Sequence, residues 1–475
     1  MIKYTLGVLL TFEAAFFVLP MVTAACYAEW HALLSFFGTA LICTAVGVLL
    51  FCKKPKDTTI YAKEGFVIVA LSWIVLSIFG ALPFIFTGST TSFVDALFET
   101  VSGFTTTGAS IFSNVEVLPK SILIWRSFTH WVGGMGVLVF IMAFTSLGGG
   151  HSMHIMRAES PGPSVSKLVP RVKNTAMILY AIYLVLTLVQ LIVMLCTGMN
   201  FFDSLNTAFS TAGTGGFGFR NDSFASNTPT QQVIVAIFML IFSINFNSYY
   251  LVLRTKFKEA FNSEVRVFLV IVATAILLIA FNISSLYSGF GEALRHALFT
   301  VSSLISTTGF STEYFDAWPE LSRIIIVLIM FVGACAGSTA GGIKVSRIII
   351  LFKGFVCELG NLIHPKRVKK ITIDKRPVEN EVIRSVNAYI VCYITVFLIS
   401  IVAISFDNRD LITNFTAVTA TMNNVGPGLD GVGPAANYSL FSPISKLVLT
   451  FDMLAGRLEL FPMLILFSPS TWRKS

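Results

Sequence analysis

Four short segments rich in Thr, Gly and Asn sit between apolar stretches long enough to cross a membrane. They are Thr105-Thr106-Thr107-Gly108-Ala109, Thr214-Gly215-Gly216-Phe217, Ser306-Thr307-Thr308-Gly309-Phe310 and Asn423-Asn424-Val425-Gly426-Pro427. Backbone that is not helical leaves polar groups without partners in lipid, so four such interruptions must be buried in protein or line a watery cavity. The apolar context is firm: 55% of the 475 residues are hydrophobic and 12% charged, too little polar surface to cover a soluble globule. Runs near 5–25, 31–52, 66–87, 121–146, 175–198, 230–253, 266–288, 321–356, 382–405 and 443–468 read as ten spans, each enough for ~30 Å of hydrocarbon.

The net charge of +8 reports topology rather than nucleic-acid binding, because the basic residues collect in alternate loops. Lys53, Lys54, Lys56 and Lys63 follow the second run, Arg157, Lys167, Arg171 and Lys173 the fourth, and Arg254, Lys256 and Lys258 the sixth. Lys366, Arg367, Lys369, Lys370, Lys375 and Arg376 follow the eighth, and Arg473 and Lys474 close the chain. By the positive-inside rule these loops and both termini are cytoplasmic. Glu116, Asp222, Glu313, Asp316 and Asp430 then lie outside, and the four segments open outward. The seven cysteines show no Cys-x-x-Cys, so neither a disulfide framework nor a zinc site is expected. Lys3 and Thr23-Ala24-Ala25-Cys26 loosely resemble a signal peptide, but the run is too long and carries Glu13, so it is expected to remain as a span.

Aligned on Gly108, Gly216, Gly309 and Gly426, the segments expose an internal repeat, with short helices expected near 92–104, 200–212, 292–305 and 410–422. A repeated unit of this kind decides the fold. The expected architecture is an all-α polytopic membrane protein with four parallel units of span, re-entrant helix, extended segment and span around one pore. The units are 65–174, 175–265, 266–381 and 382–475, preceded by a two-helix addition at 1–64. Parallel units argue for a pore, whereas inverted repeats mark alternating-access carriers. Backbone carbonyls from four extended segments replace the water of a cation without side-chain charge. Glycine opens backbone regions closed to other residues, and the C-terminal ends of the short helices offer partial negative charge. The candidate ligand segments are Thr106, Thr107, Gly108; Thr214, Gly215, Gly216; Thr307, Thr308, Gly309; and Asn424, Val425, Gly426, with a cation as the only metal.

Other motifs fall away. Gly213–Gly218 matches G-x-G-x-x-G but follows a helical run with no strand before it, and Ile343 spoils a phosphate loop at Gly337–Lys344. No H-E-x-x-H, nucleophilic triad or paired carboxylates point to an enzyme. Run 321–356 would be about 54 Å long as one helix, and its middle holds Gly333, Gly337, Ser338, Thr339, Gly341, Gly342 and Lys344. Either it breaks there, or Gly333, Gly337 and Gly341 form a packed G-x-x-x-G face. Arg457 lies inside the tenth run, to be paired with Asp452 or Glu459, to snorkel, or to face the pore. Glu13, Glu99, Asn245 and Asn247 are read as making interhelical or backbone hydrogen bonds rather than binding ions, and His130 as a packing histidine.

Ser102-Gly103-Phe104-Thr105-Thr106-Thr107-Gly108-Ala109, His130-Trp131-Val132-Gly133-Gly134-Met135-Gly136 and Met422-Asn423-Asn424-Val425-Gly426-Pro427-Gly428 resemble signatures of the Trk/Ktr/HKT superfamily, and within it the bacterial TrkH type. The resemblance covers essentially the whole chain, including the two extra N-terminal spans. It implies potassium uptake across the bacterial inner membrane, with one glycine per unit accompanying potassium permeation. It also implies an intramembrane loop at 333–342 acting as a gate with Arg457 below the filter. A homodimer is implied, controlled by a cytosolic ring of TrkA-like nucleotide-binding subunits, with no cofactor beyond the transported K⁺; the basic loops 157–173 and 366–376 are candidate docking surfaces, though positive-inside topology alone also accounts for their charge. The competing reading is a sodium- or proton-coupled symporter.

Overall fold

The computed structural model describes residues 1–52, 62–136, 172–364 and 370–473. The basic residues Lys53, Lys54, Lys56, Arg157, Lys167, Arg171, Lys366, Arg367, Lys369 and Lys474, and the stretch 137–146 of the fourth expected span, lie outside them.

Among the described residues, six helices are long and apolar enough to cross a membrane: Ile2–Cys26, Trp30–Phe51, Lys63–Phe86, Asn174–Cys196, Ser263–Leu286 and Asn380–Asp407. Each of the last four leads into a short helix, namely Phe93–Phe104, Phe201–Gly213, Phe290–Ile305 and Leu411–Met422. Three of these begin at polar caps, where Ser92, Asn200 and Asp410 accept from the backbone N–H three residues on, satisfying a donor that the first turn cannot. A half-helix then follows each extended segment: Lys120–Gly134, Pro229–Ser243, Glu320–Val332 and Pro443–Arg457. Proline stands at the entry of all four, as Pro119, Pro229, Pro319 and Pro443, where its missing N–H costs nothing.

The second spans of the second, third and fourth units are interrupted, which corrects the expectation of continuous helices over 230–253 and 443–468. Pro229–Ser243 is followed by Phe246–Leu253 at an angle of 89°. Pro443–Arg457 stops at Leu458, and Glu459 and Leu460 take positive φ before Phe461–Ile465 resumes. In run 321–356 the helix ends at Val332 and restarts at Val345, so Gly333, Gly337 and Gly341 form no helix face. The breaks hold because neighbouring units satisfy the freed backbone. Cys335 N–H donates to Ser243 O at 3.2 Å, and Phe246 N–H to Gly337 O at 3.0 Å.

Each short helix packs against the half-helix of the preceding unit, and the first against that of the fourth, which closes the units into a ring in chain order. The two N-terminal helices cross at Gly7 and Gly47, where a Cβ on Gly7 would meet Gly47 O at 2.7 Å. They buttress the first unit: Phe17 packs on Trp125 with centroids 4.6 Å apart. Glu29, in the turn between them, accepts from Lys120 N–H at 2.6 Å and Ser121 N–H at 3.1 Å, so its charge caps a helix N-terminus.

Candidate functional site

The four Thr/Gly/Asn segments share one backbone signature. Thr106, Thr214, Thr307 and Asn424 have φ of 57, 55, 59 and 54°, and the glycines two residues on, Gly108, Gly216, Gly309 and Gly426, have φ of 80, 76, 82 and 94°. Left-handed conformation at a β-branched threonine is uncommon and costs of order 1–3 kcal/mol. The short helices hold it in place: the N–H groups of Thr107, Gly215, Thr308 and Val425 each fold back to a carbonyl five residues earlier, at 2.8 to 2.9 Å.

The glycines also interlock. A Cβ at Gly108 would strike Gly215 O, at Gly216 Thr308 O, at Gly309 Val425 O, and at Gly426 Thr107 O, each closer than 3.0 Å. Each unit therefore abuts the carbonyl of the next, and the fourth returns to the first. Among the described residues, the carbonyls of Thr107, Gly215, Thr308 and Val425 accept no hydrogen bond. Four free acceptors in a closed ring, with a helix C-terminus directed at each, can replace the hydration of a bare cation. Asn424 adds a side-chain tie, donating from Nδ2 to Thr107 Oγ1 and to Met453 O, both at 2.9 Å. The mouth above the ring includes Ser110, Arg126, Gly218 and Tyr438. Nearby, partial burial and the charges of Asp410 and Asp316 raise the Asp430 carboxyl above its ordinary value.

Behind the first two segments lies a polar network that the sequence reading did not assemble. Glu99 accepts from Arg126 Nε at 2.8 Å, Ile111 N–H at 2.9 Å and Ser110 Oγ at 3.1 Å. Arg126 reaches on to Gly218 O at 3.0 Å and lies over Phe217. His130 donates from Nδ1 to Gly103 O at 2.7 Å and accepts from Phe217 N–H at Nε2, at 3.2 Å. It is buried as expected, but it also joins the end of one short helix to the next unit's segment. Glu99 and Arg126 are 0% and 2% exposed, and removing one partner of such a pair leaves an uncompensated charge costing about 3–5 kcal/mol. Glu99→Gln is expected to lower the melting temperature of the detergent-solubilised protein by several degrees, and Glu99→Met with Arg126→Met to recover part of the loss. An unchanged melting curve for Glu99→Gln would show that the pair does not hold the segments.

Beneath the ring lies the loop from Gly333 to Lys344. Gly333, Gly337, Gly342 and Lys344 have positive φ. Gly341 N–H donates to Thr307 Oγ1 at 2.7 Å, and Gly342 N–H to Asn423 O at 3.1 Å. Thr339 Oγ1 donates to Phe242 O at 3.3 Å, Ser338 Oγ to Cys335 O at 2.7 Å, and Lys344 turns its buried ammonium back to Ala340 O. Arg457 gathers three units: its guanidinium donates to Thr339 O at 2.7 Å, Gly133 O at 2.6 Å, Gly134 O, and Thr106 Oγ1 at 3.4 Å. Its neighbours are engaged elsewhere, Asp452 with Ser400 at 2.7 Å and Glu459 with Arg347. The structure thus brings all the candidate residues into one column, ring above and loop below. Glu13 differs from expectation, being fully buried with neither carboxylate oxygen hydrogen-bonded among the described residues, whereas Asn245 caps Phe246–Leu253 through Asn247 N–H at 2.9 Å.

A sequence profile described as "TrkH: Cation transport protein" matches residues 33–474. The chain is 35% identical over 476 residues to the Trk system potassium uptake protein TrkH of Escherichia coli (strain K12), covering 98% of both. To the Trk system potassium uptake protein TrkG of the same organism it is 32% identical over 462 residues, 96% of this chain and 94% of the relative. Its fold matches the crystal structure of the potassium transporter TrkH from Vibrio parahaemolyticus with a TM-score of 0.89 and 31% identity, over 99% of each chain.

Proposed function

The chain belongs to the TrkH family of cation transport proteins, and from that premise we propose that it takes up potassium across the bacterial inner membrane through the ring at Gly108, Gly216, Gly309 and Gly426. The observation that carries this reading is the closed ring of unpaired carbonyls, in which each glycine leaves room for the next unit's backbone. Thr106, Thr107, Thr214, Gly215, Thr307, Thr308, Asn424 and Val425 present their backbone oxygens to potassium, and the ordered ring selects it. Gly333–Lys344 and Arg457 close the inner side. The loop stands directly beneath Thr307 and Asn423, and a guanidinium there raises the barrier to a cation.

Both termini are cytoplasmic on this reading, from the placing of the basic loops. The protein acts as a homodimer with cytosolic TrkA-like nucleotide-binding subunits, as its likeness to Trk-system proteins supports. Reconstituted vesicles test the transport mode. Current is expected to reverse at the potassium equilibrium potential whatever sodium or pH gradient is imposed. A reversal potential that moves with either gradient would mark a coupled symporter instead.

A further inference from the structure

The Gly333–Lys344 loop is tied from below by one carboxylate. Glu264, the second residue of helix Ser263–Ile283, accepts on Oε1 from Ala336 N–H at 2.7 Å and from Ser346 N–H at 3.2 Å. One donor lies within the loop and the other in the first turn of the helix that leaves it. A single oxygen therefore holds both limbs, through hydrogen bonds strengthened by charge.

The neighbouring residue is held from another direction. Ser263 donates from N–H and Oγ to Asp374 Oδ1, at 2.9 and 2.6 Å, and Arg266 stands 3.6 Å from the same oxygen. Asp374 and Lys375, with φ of 47 and 65°, form the tip of a two-stranded hairpin that pairs Thr372 with Pro377 and Ile373 with Arg376. Two consecutive positive φ values are the mark of the tight turn that matches strand twist, so the tip is set rigidly on its strands. Lys353, on the helix that leaves the loop, donates to Thr372 O at 2.7 Å. The hairpin is thus fastened both to the helix that carries Glu264 and to the helix that continues from the loop. It also carries Lys375 and Arg376 of the basic segment 366–376.

We propose that Glu264 is the positioning residue of the intramembrane loop, and that the hairpin tip at Asp374 sets Glu264 in place, so that a partner displacing the hairpin releases the loop. The proposal rests on the reading of that loop as the gate. Glu264 is suited to the task because it sits in a first helical turn, where a small shift of the helix start moves its carboxylate away from Ala336 N–H. The bonds from the loop to Thr307, Asn423 and Arg457 then hold it without support from below.

The test is rubidium uptake into vesicles by the full chain, comparing wild type, Glu264→Ala, Glu264→Gln, Asp374→Ala and a form lacking 336–340, the last also combined with Glu264→Ala. Losing the carboxylate is expected to raise uptake about tenfold, with Glu264→Gln between wild type and Ala because it keeps an acceptor oxygen. Asp374→Ala is expected to raise uptake by a smaller factor. The rubidium-over-sodium preference stays unchanged in all of them, and Glu264→Ala adds nothing to the shortened loop. If shortening the loop leaves uptake unchanged, the gate reading itself fails. If shortening raises uptake but neither Glu264 variant does, the clamp is wrong. If the Glu264 variants rise while Asp374→Ala stays at the wild-type level, the hairpin does not set it.

Discussion

Gly108→Ser is expected to abolish the preference for potassium over sodium and to lower rubidium uptake by at least about tenfold, the change produced by ~1.4 kcal/mol. Two effects act together. Gly108 holds φ of +80°, a conformation that costs an L-residue roughly 1–2 kcal/mol. The new Cβ would also overlap the carbonyl of Gly215, a rigid backbone atom with no rotamer by which to retreat. Relief requires the first and second segments to separate, which widens the ring on one side and spoils the carbonyl fit that singles out potassium. Rubidium uptake with sodium competition, in vesicles containing either protein, measures both quantities. Identical uptake and preference in the two proteins would remove the carbonyl ring from its assigned role.

Arg457→Gln is expected to raise basal uptake by about 10- to 100-fold while leaving potassium-over-sodium preference intact. A fixed positive charge about 6 Å from a passing cation, at an effective dielectric constant of ~20, opposes it by about 2–3 kcal/mol. Thr106 Oγ1 is 3.4 Å from the guanidinium, so an ion at the innermost carbonyls would feel that charge. The same substitution loses the fork that joins Thr339 O to Gly133 O and Gly134 O, loosening the loop from the first unit. Arg457→Lys separates the contributions. It retains charge but lacks the planar five-donor geometry, so its uptake should fall between those of wild type and Gln. Uptake equal to wild type in Arg457→Gln would mean that the arginine serves packing alone.

The short helices were legible because their causes are local. Ser92, Asn200 and Asp410 mark starts, and the Thr/Gly/Asn segments mark ends, so the expected ranges lie within about two residues of those found. The breaks in the second and fourth units were not legible, because what stabilises them is distant in sequence. Ser243 O and Phe246 N–H are satisfied by the third unit's loop, and the apolar run around them reads as an ordinary span. One local sign was available in the prolines at 119, 229, 319 and 443, which align with the repeat and show that the second helices share more than hydrophobicity.

The candidate ring residues were chosen for their glycines, and the structure adds the left-handed position two residues earlier. At that position the fourth segment has Asn424 in place of threonine. It stands where Thr106, Thr214 and Thr307 stand, and asparagine is among the few residue types other than glycine that adopt that conformation readily. Glu99, Arg126 and His130 were visible as polar residues in apolar runs, but their convergence depends on packing between units. No spacing along the chain announces it.

That the ring closes in chain order has a consequence for how such a protein can change. In a pore assembled from four identical chains, every substitution appears four times at once. Here each quadrant is written separately, so one quarter of the ring can be edited while three stay constant. The molecule already carries such edits: a buried acid–base pair behind the first quadrant, a long inner loop in the third, and an asparagine and an arginine in the fourth. On the proposed reading of Gly333–Lys344 as the gate, the barrier is one loop with no identical siblings to wait for. Its opening should follow single-step kinetics within one chain, and any steepness in its response must come from whatever binds outside the membrane.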